Sequence, residues 1–128
     1  MTAPERSAGL AAAARLWRDD LIALGERVLD AASVEVTAMP APGSVMMELA
    51  GEIGSFCFTE VVVTTASVCV DGASGWGCVM GYDREAALAA AVLDARATDE
   101  VESFAKAALA AEEEERMRLS RALAGTRI

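Results

Sequence analysis

The sequence predicts an α+β fold: an N-terminal helix, an antiparallel sheet of three to four strands with a long hairpin, and two C-terminal helices. Three observations predict it. Apolar residues recur at three- and four-residue spacing from Leu10 to Val28. A valine-rich run, Phe56 to Val70, meets a glycine-marked turn and a returning run, Trp76 to Tyr82. Alanine-rich segments preceded by capping residues follow. Strands adjacent in sequence and joined by tight turns are antiparallel, which disfavours a Rossmann-like sheet.

Taken in order, Thr2-Ala3-Pro4-Glu5 has the form of a capping box. The positions Leu10, Ala14, Trp17, Leu21, Leu24 and Val28 then predict one amphipathic helix to about Ala32, with Gly25 as an internal weak point. Val34 to Thr37 is a short β-prone piece, and Met39 to Gly43, with two prolines and a glycine, is expected to break regular structure. Val45 to Leu49 reads as a strand, and Gly51 to Gly54 as a turn or bulge. The long strand Phe56–Val70 follows, with Asp71 to Gly75 as its tight connection to Trp76–Tyr82. In that hairpin Cys69 and Cys78 are expected near one another on neighbouring strands. Asp83 is placed to cap a helix over 86–97, and Thr98 with Asp99 and Glu100 to start another that runs to about Leu123, with Gly125 as its stop.

At 128 residues the chain predicts a single domain, 1–128, and its hydrophobic fraction of 54% argues against disorder. Much of that fraction is alanine and aromatics reach only 5%, so the core is expected to be thin, a condition often relieved by a partner subunit. A net charge of −9 disfavours nucleic-acid and anionic-membrane partners. With no histidine, Ser-His-Asp and Cys-His catalysis, histidine-ligated zinc and the usual neutral-pH base are all absent. The one lysine, Lys106, follows no glycine-rich phosphate loop. Three cysteines without CxxC spacing, no signal-peptide pattern and no membrane-length apolar span predict a cytoplasmic chain with reduced thiols.

Few residues could carry chemistry. Glu60 can be read as a base or metal ligand beside Asp83 or Asp94, or as a strand acid facing solvent. The cysteines suit a buried structural role better than a redox or metal site. Gly72, Gly75, Gly77 and Gly81 could cradle a phosphate, but they straddle a β-turn, and turn geometry accounts for them more simply. Glu112 to Glu115 with Arg116 and Arg118 reads as a solvated helix face with i,i+4 pairs. Trp17 and Trp76 read as core or subunit-interface anchors. No catalytic residue, metal ligand set or cofactor is assigned. The candidate binding positions, as interface or structural residues, are Glu60, Thr64, Trp76, Asp83 and Arg84.

The stretch "FCFTEVVVTTASVCVDGASGWGCVMGYDREAALAAAVLDA" resembles the PhnG subunit of the bacterial carbon–phosphorus lyase core complex. The likeness rests on Phe56 and Phe58, Glu60, Val63-Thr64, Val68, Gly72, Gly75, Gly81, Asp83, Ala87, Ala91 and Asp94-Ala95. Arg15 with Trp17, and Arg116-Met117 with Arg127-Ile128, match it more weakly at the two ends. The resemblance implies a cytoplasmic accessory subunit for phosphonate catabolism, in a complex that displaces adenine from ATP with an alkylphosphonate to give a ribose 1-alkylphosphonate 5-triphosphate. It implies partners of the PhnH, PhnI and PhnJ types, with the transferase chemistry assigned chiefly to the PhnI-type chain and no catalytic site in this one. The family carries arginines where this chain has Thr65, Cys69 and Tyr82 and continues past the position of Ile128, so the chain resembles a divergent or C-terminally short member. Size and acidity also allow an alternative, a small homodimeric chaperone or adaptor. A free-standing enzyme using Glu60 and Asp83 is a third reading.

Overall fold

The computed structural model describes residues 1–50 and 56–125, with side chains throughout except at 46–50 and 56–59. The elements run α1 (Ala3–Leu16), α2 (Arg18–Ala31), β1 (Val34–Ala50), β2 (Phe56–Val70), β3 (Ala73–Met80), α3 (Arg84–Ala95) and α4 (Asp99–Gly125). The three strands form an antiparallel sheet in the order β1-β2-β3. The α+β class and the existence of the hairpin are as the sequence predicts. Its turn is shorter than Asp71 to Gly75 and its returning strand runs Ala73–Met80, not Trp76 to Tyr82, because the ladder closes directly at the pair Val70–Ala73. The turn expected at 51–54 lies outside the described residues.

The helix ends follow local chemistry. Thr2 Oγ1 accepts the Glu5 N–H, Asp83 Oδ1 that of Ala86, and Thr98 Oγ1 that of Val101. The single N-terminal helix expected from the spacing is two helices. The chain breaks at Trp17 (φ −135°, ψ 52°), whose N–H still bonds to Ala13 and whose carbonyl accepts from Leu21. The apolar period continues through this bend, so nothing local marks it. The reason is tertiary: the bend lets α1 pack on α4 while α2 turns onto α3, and the Trp17 ring rests 5.8 Å from that of Phe104.

β1 also differs from expectation. Instead of two short pieces around a proline-broken loop, it is one strand with register shifts between Val36 and Ala38 and between Ala38 and Ala41. Prolines are tolerated on an edge strand and at bulges, where a missing N–H removes no interior ladder bond. Pro40 meets both conditions, lying in the irregular stretch between Ala38 and Ala41, and Pro42, paired with Thr64, meets the first. β2 coincides with the predicted strand. The hairpin turn is the two residues Asp71 (φ 47°) and Gly72 (φ 86°), both left-handed, as a twist-compatible β-hairpin requires.

Alternation along β2 divides the sheet. Thr64, Ala66, Val68 and Val70 are buried toward the helices, while Thr65, Ser67 and Cys69 face outward. On the inner face α3 lies against β2 and β3. With Leu10, Leu21, Leu24, Val79, Val92, Leu93 and Val101 these residues make the core, and alanines fill the rest. β3 ends where Met80 faces Val63, yet the β1–β2 ladder continues to the pair Ala50–Phe56. A two-stranded arm therefore reaches beyond the three-stranded body by about 23 Å, at ~3.3 Å per residue.

The glycine-rich hairpin and the alanine-spaced helix are two sides of one contact. Gly75 and Gly77 point inward, and a Cβ on Gly77 would lie 2.5 Å from the Ala87 carbonyl oxygen and 2.7 Å from the Ala91 nitrogen. A Cβ on Gly75 would collide with Ala91 and Ala95 in the same way. The expectation that turn geometry explains these glycines holds for Gly72 alone within the turn; Gly75 and Gly77 serve close helix–sheet packing.

Candidate functional site

The residues that carry the family resemblance converge on two polar ties. The first is built on Thr64, fully buried in the inner face of β2. Its Oγ1 donates to the Gly81 carbonyl at 2.7 Å and accepts the Asp83 N–H at 3.0 Å. Gly81, with φ 84°, makes the sharp exit from β3 that brings its carbonyl and the Asp83 N–H to the same hydroxyl. Asp83 then caps α3 and takes two hydrogen bonds from Arg18, from Nε to Oδ2 at 2.6 Å and from Nη2 to Oδ1 at 3.0 Å. The Arg18 hydrogen bonds hold the Asp83 carboxyl below the usual aspartate range; the Ala86 N–H and the Arg18 charge act in the same direction, and partial burial opposes them. This tie joins β2, the end of β3, α3 and α2.

The second tie is Asp94. Its Oδ1 accepts Arg6 Nε at 3.0 Å and its Oδ2 accepts the Trp76 backbone N–H at 2.9 Å, so one carboxylate fastens α1, α3 and β3. Arg6 and Asp94 are largely withdrawn from water, which makes the pair costly to break. At the far end of the hairpin, Asp71 accepts the Ser33 N–H and an Arg96 guanidinium hydrogen bond, fixing the turn to the start of β1 and the end of α3.

The candidate residues therefore separate. Thr64 and Asp83 meet in one hydrogen-bonded unit. Arg84 is exposed and lies 5.2 Å from the centroid of the Tyr82 ring. Glu60 is exposed on β2, opposite Met46. Trp76 is 48% exposed on the outer face of β3, opposite Ser67. Cys69 faces Ser74 and Cys78 faces Thr65, so these two thiols are not the neighbours expected from the sequence. No group of three metal-ligating side chains occurs among the described residues, and no described helix is long and apolar enough to cross a membrane.

Sequence reasoning missed Arg18 and Arg6, which reach their carboxylates across 65 and 88 residues. It also missed the role of Gly75 and Gly77, although a signal for it was present: two-residue spacing places both on one strand face, and Ala87, Ala91 and Ala95 present small residues at helical period.

The outward face is the remaining candidate. Facing residues across the ladders share a face, so it carries Glu35, Ala38, Ala41, Gly43 and Val45 of β1, Val61 to Cys69 at alternate positions of β2, and Ser74, Trp76, Cys78 and Met80 of β3. Glu35 is the sole charge among these described residues. Thr65 and Cys69, two of the positions where the resemblance leads to arginine, lie on this face.

Fold and ties together define a small α+β protein whose motif carboxylates serve as fasteners, with a sheet face left open whose described positions carry one charge, Glu35. The chain matches the family model described as phosphonate metabolism protein PhnG over residues 4–128. It belongs to the PhnG family, and membership places it in phosphonate metabolism. No curated protein matches the chain significantly.

Proposed function

We propose that the chain is an accessory, non-catalytic subunit of a cytoplasmic carbon–phosphorus lyase complex, acting as one domain. It supports formation of a ribose 1-alkylphosphonate 5-triphosphate from ATP and an alkylphosphonate, beside PhnH-, PhnI- and PhnJ-type subunits. The observation that carries this reading is the use of Asp83 and Asp94. Both are hydrogen-bonded to arginine and to backbone N–H groups, and a carboxylate so engaged makes a poor general base, because the oxygens that would take a proton are already accepting hydrogen bonds. The chain thus contributes shape and surface, and the transferase chemistry resides in another subunit.

Co-expression of the tagged chain with the three partner types, followed by affinity purification and assay of adenine release from ATP with methylphosphonate, tests the proposal. The expected result is co-purification, with activity that depends on this chain and survives Glu60→Gln. A chain that purifies alone as a stable dimer and captures none of the three overturns it in favour of the adaptor reading.

A further inference from the structure

We infer that the outward face of the sheet, centred on Trp76, is the surface through which the chain docks on its complex, and that its occupant is a partner subunit presenting an uncharged, apolar surface. This inference rests on the accessory-subunit reading above.

Charge selects the occupant. The molecule carries −9, yet Glu35 is the one charge on the described outward positions of all three strands. Trp76 is 48%, Met80 63% and Val45 47% exposed there. An aromatic-centred patch with a single charge, Glu35, on an acidic protein matches the depletion of charge and enrichment of Trp and Met at interface cores. A basic partner would find its complement on the acidic helices instead. A second copy would bring together two bodies of net charge −9, so self-association is the disfavoured use of this face.

Area and stability agree. Eight paired positions across three strands make a body of roughly 26 by 14 Å, and the arm adds about 23 by 10 Å, at ~3.3 Å per residue and ~4.8 Å per strand. The sum is about 600 Å² on this side, or roughly 1,200 Å² over both partners, the lower bound of specific interfaces. The arm benefits from such cover, because a two-stranded ribbon alone is marginal in water and Val45 stands half exposed on its outward face. The centre of the patch is also rigid: the Trp76 backbone is held by Asp94, and its neighbours Gly75 and Gly77 are clamped on α3. A preorganised aromatic anchor costs little ordering on binding.

The test is co-expression of the full chain with the PhnH-, PhnI- and PhnJ-type subunits, comparing wild type, Trp76→Glu, Met80→Glu, Trp76→Phe and Glu26→Lys on the exposed side of α2. Circular dichroism and melting temperature of each purified variant establish folding. The expected result is a loss of co-purified partner of roughly tenfold or more for Trp76→Glu and Met80→Glu, with folding intact, retention for Trp76→Phe and no change for Glu26→Lys. Wild-type capture by both glutamate variants overturns the surface assignment and leaves the accessory role standing. Absence of capture by the wild type overturns both. A lone-chain dimer dispersed by Trp76→Glu assigns the face to a second copy and overturns the inference.

Discussion

Thr64 and Asp83 share one hydroxyl: Thr64 Oγ1 accepts the Asp83 N–H while donating to Gly81, so a buried strand residue sets where α3 begins. The unit satisfies the Gly81 carbonyl and the Asp83 N–H at a sharp chain reversal whose Gly81 N–H bonds to the Val62 carbonyl on β2.

Removing that hydroxyl isolates its value. Thr64→Val keeps the shape and leaves the Gly81 carbonyl and the Asp83 N–H without it, a loss of about 1–3 kcal/mol. Thr64→Ser, which keeps the oxygen, loses less. Urea unfolding of the purified chain checks the order: wild type, then Ser, then Val.

Gly77→Ala tests the strand–helix contact. The added methyl meets backbone atoms of Ala87 and Ala91, which give way only by moving α3, so the variant loses about 1–3 kcal/mol or more. Gly43→Ala, with nothing within 4 Å, stays within about 0.5 kcal/mol of wild type. Thermal melts of the pair separate close packing from a general intolerance of strand substitutions.

The Asp83 carboxyl sets a pH dependence of known sign. Its folded pKa is depressed by Arg18, so its contribution is fully present above the ordinary aspartate value of about 3.9 and is lost as pH falls through the lower folded value. Asp83→Asn keeps a capping oxygen but gives up the ion pair. The expected outcome is lower stability than wild type at neutral pH and a shallower decline below about pH 4, read from unfolding curves across that range.

Burial pushes the Cys78 thiol up from the usual value. Its thiolate is scarce at neutral pH, so alkylation by iodoacetamide is slow there and accelerates only above the ordinary thiol range. Cys69 and Cys78 lie four positions apart along the ladder, about 13 Å, well beyond the ~7 Å limit for a disulfide. Mild oxidation followed by peptide mapping is expected to show no link between them.

How legible the molecule was in its sequence varies by residue. The caps at Thr2, Asp83 and Thr98, the strand Phe56–Val70 and a turn within Asp71 to Gly75 are local signals, each written within a few positions and each realised, the turn narrowing to Asp71-Gly72. The break at Trp17 and the continuity of β1 through Pro40 and Pro42 were not legible, because each depends on a neighbour distant in sequence: α4 for the bend, and the edge position beside β2 for the prolines. Among the candidate residues, Thr64 and Asp83 were named from the sequence, but their shared hydrogen bond and the reach of Arg18 were not.

The sequence by itself determined the α+β class, the order and type of most elements, the absence of histidine chemistry and the membership in the PhnG family, since composition, period and ordered motifs are properties of the chain. Only the tertiary structure decided that Asp83 and Asp94 are fasteners, that Gly75 and Gly77 admit α3, and that the described outward sheet face carries one charge, Glu35. Those outcomes depend on which groups meet across 65 or 88 residues, and contact at that separation is chosen by the packing of the whole core.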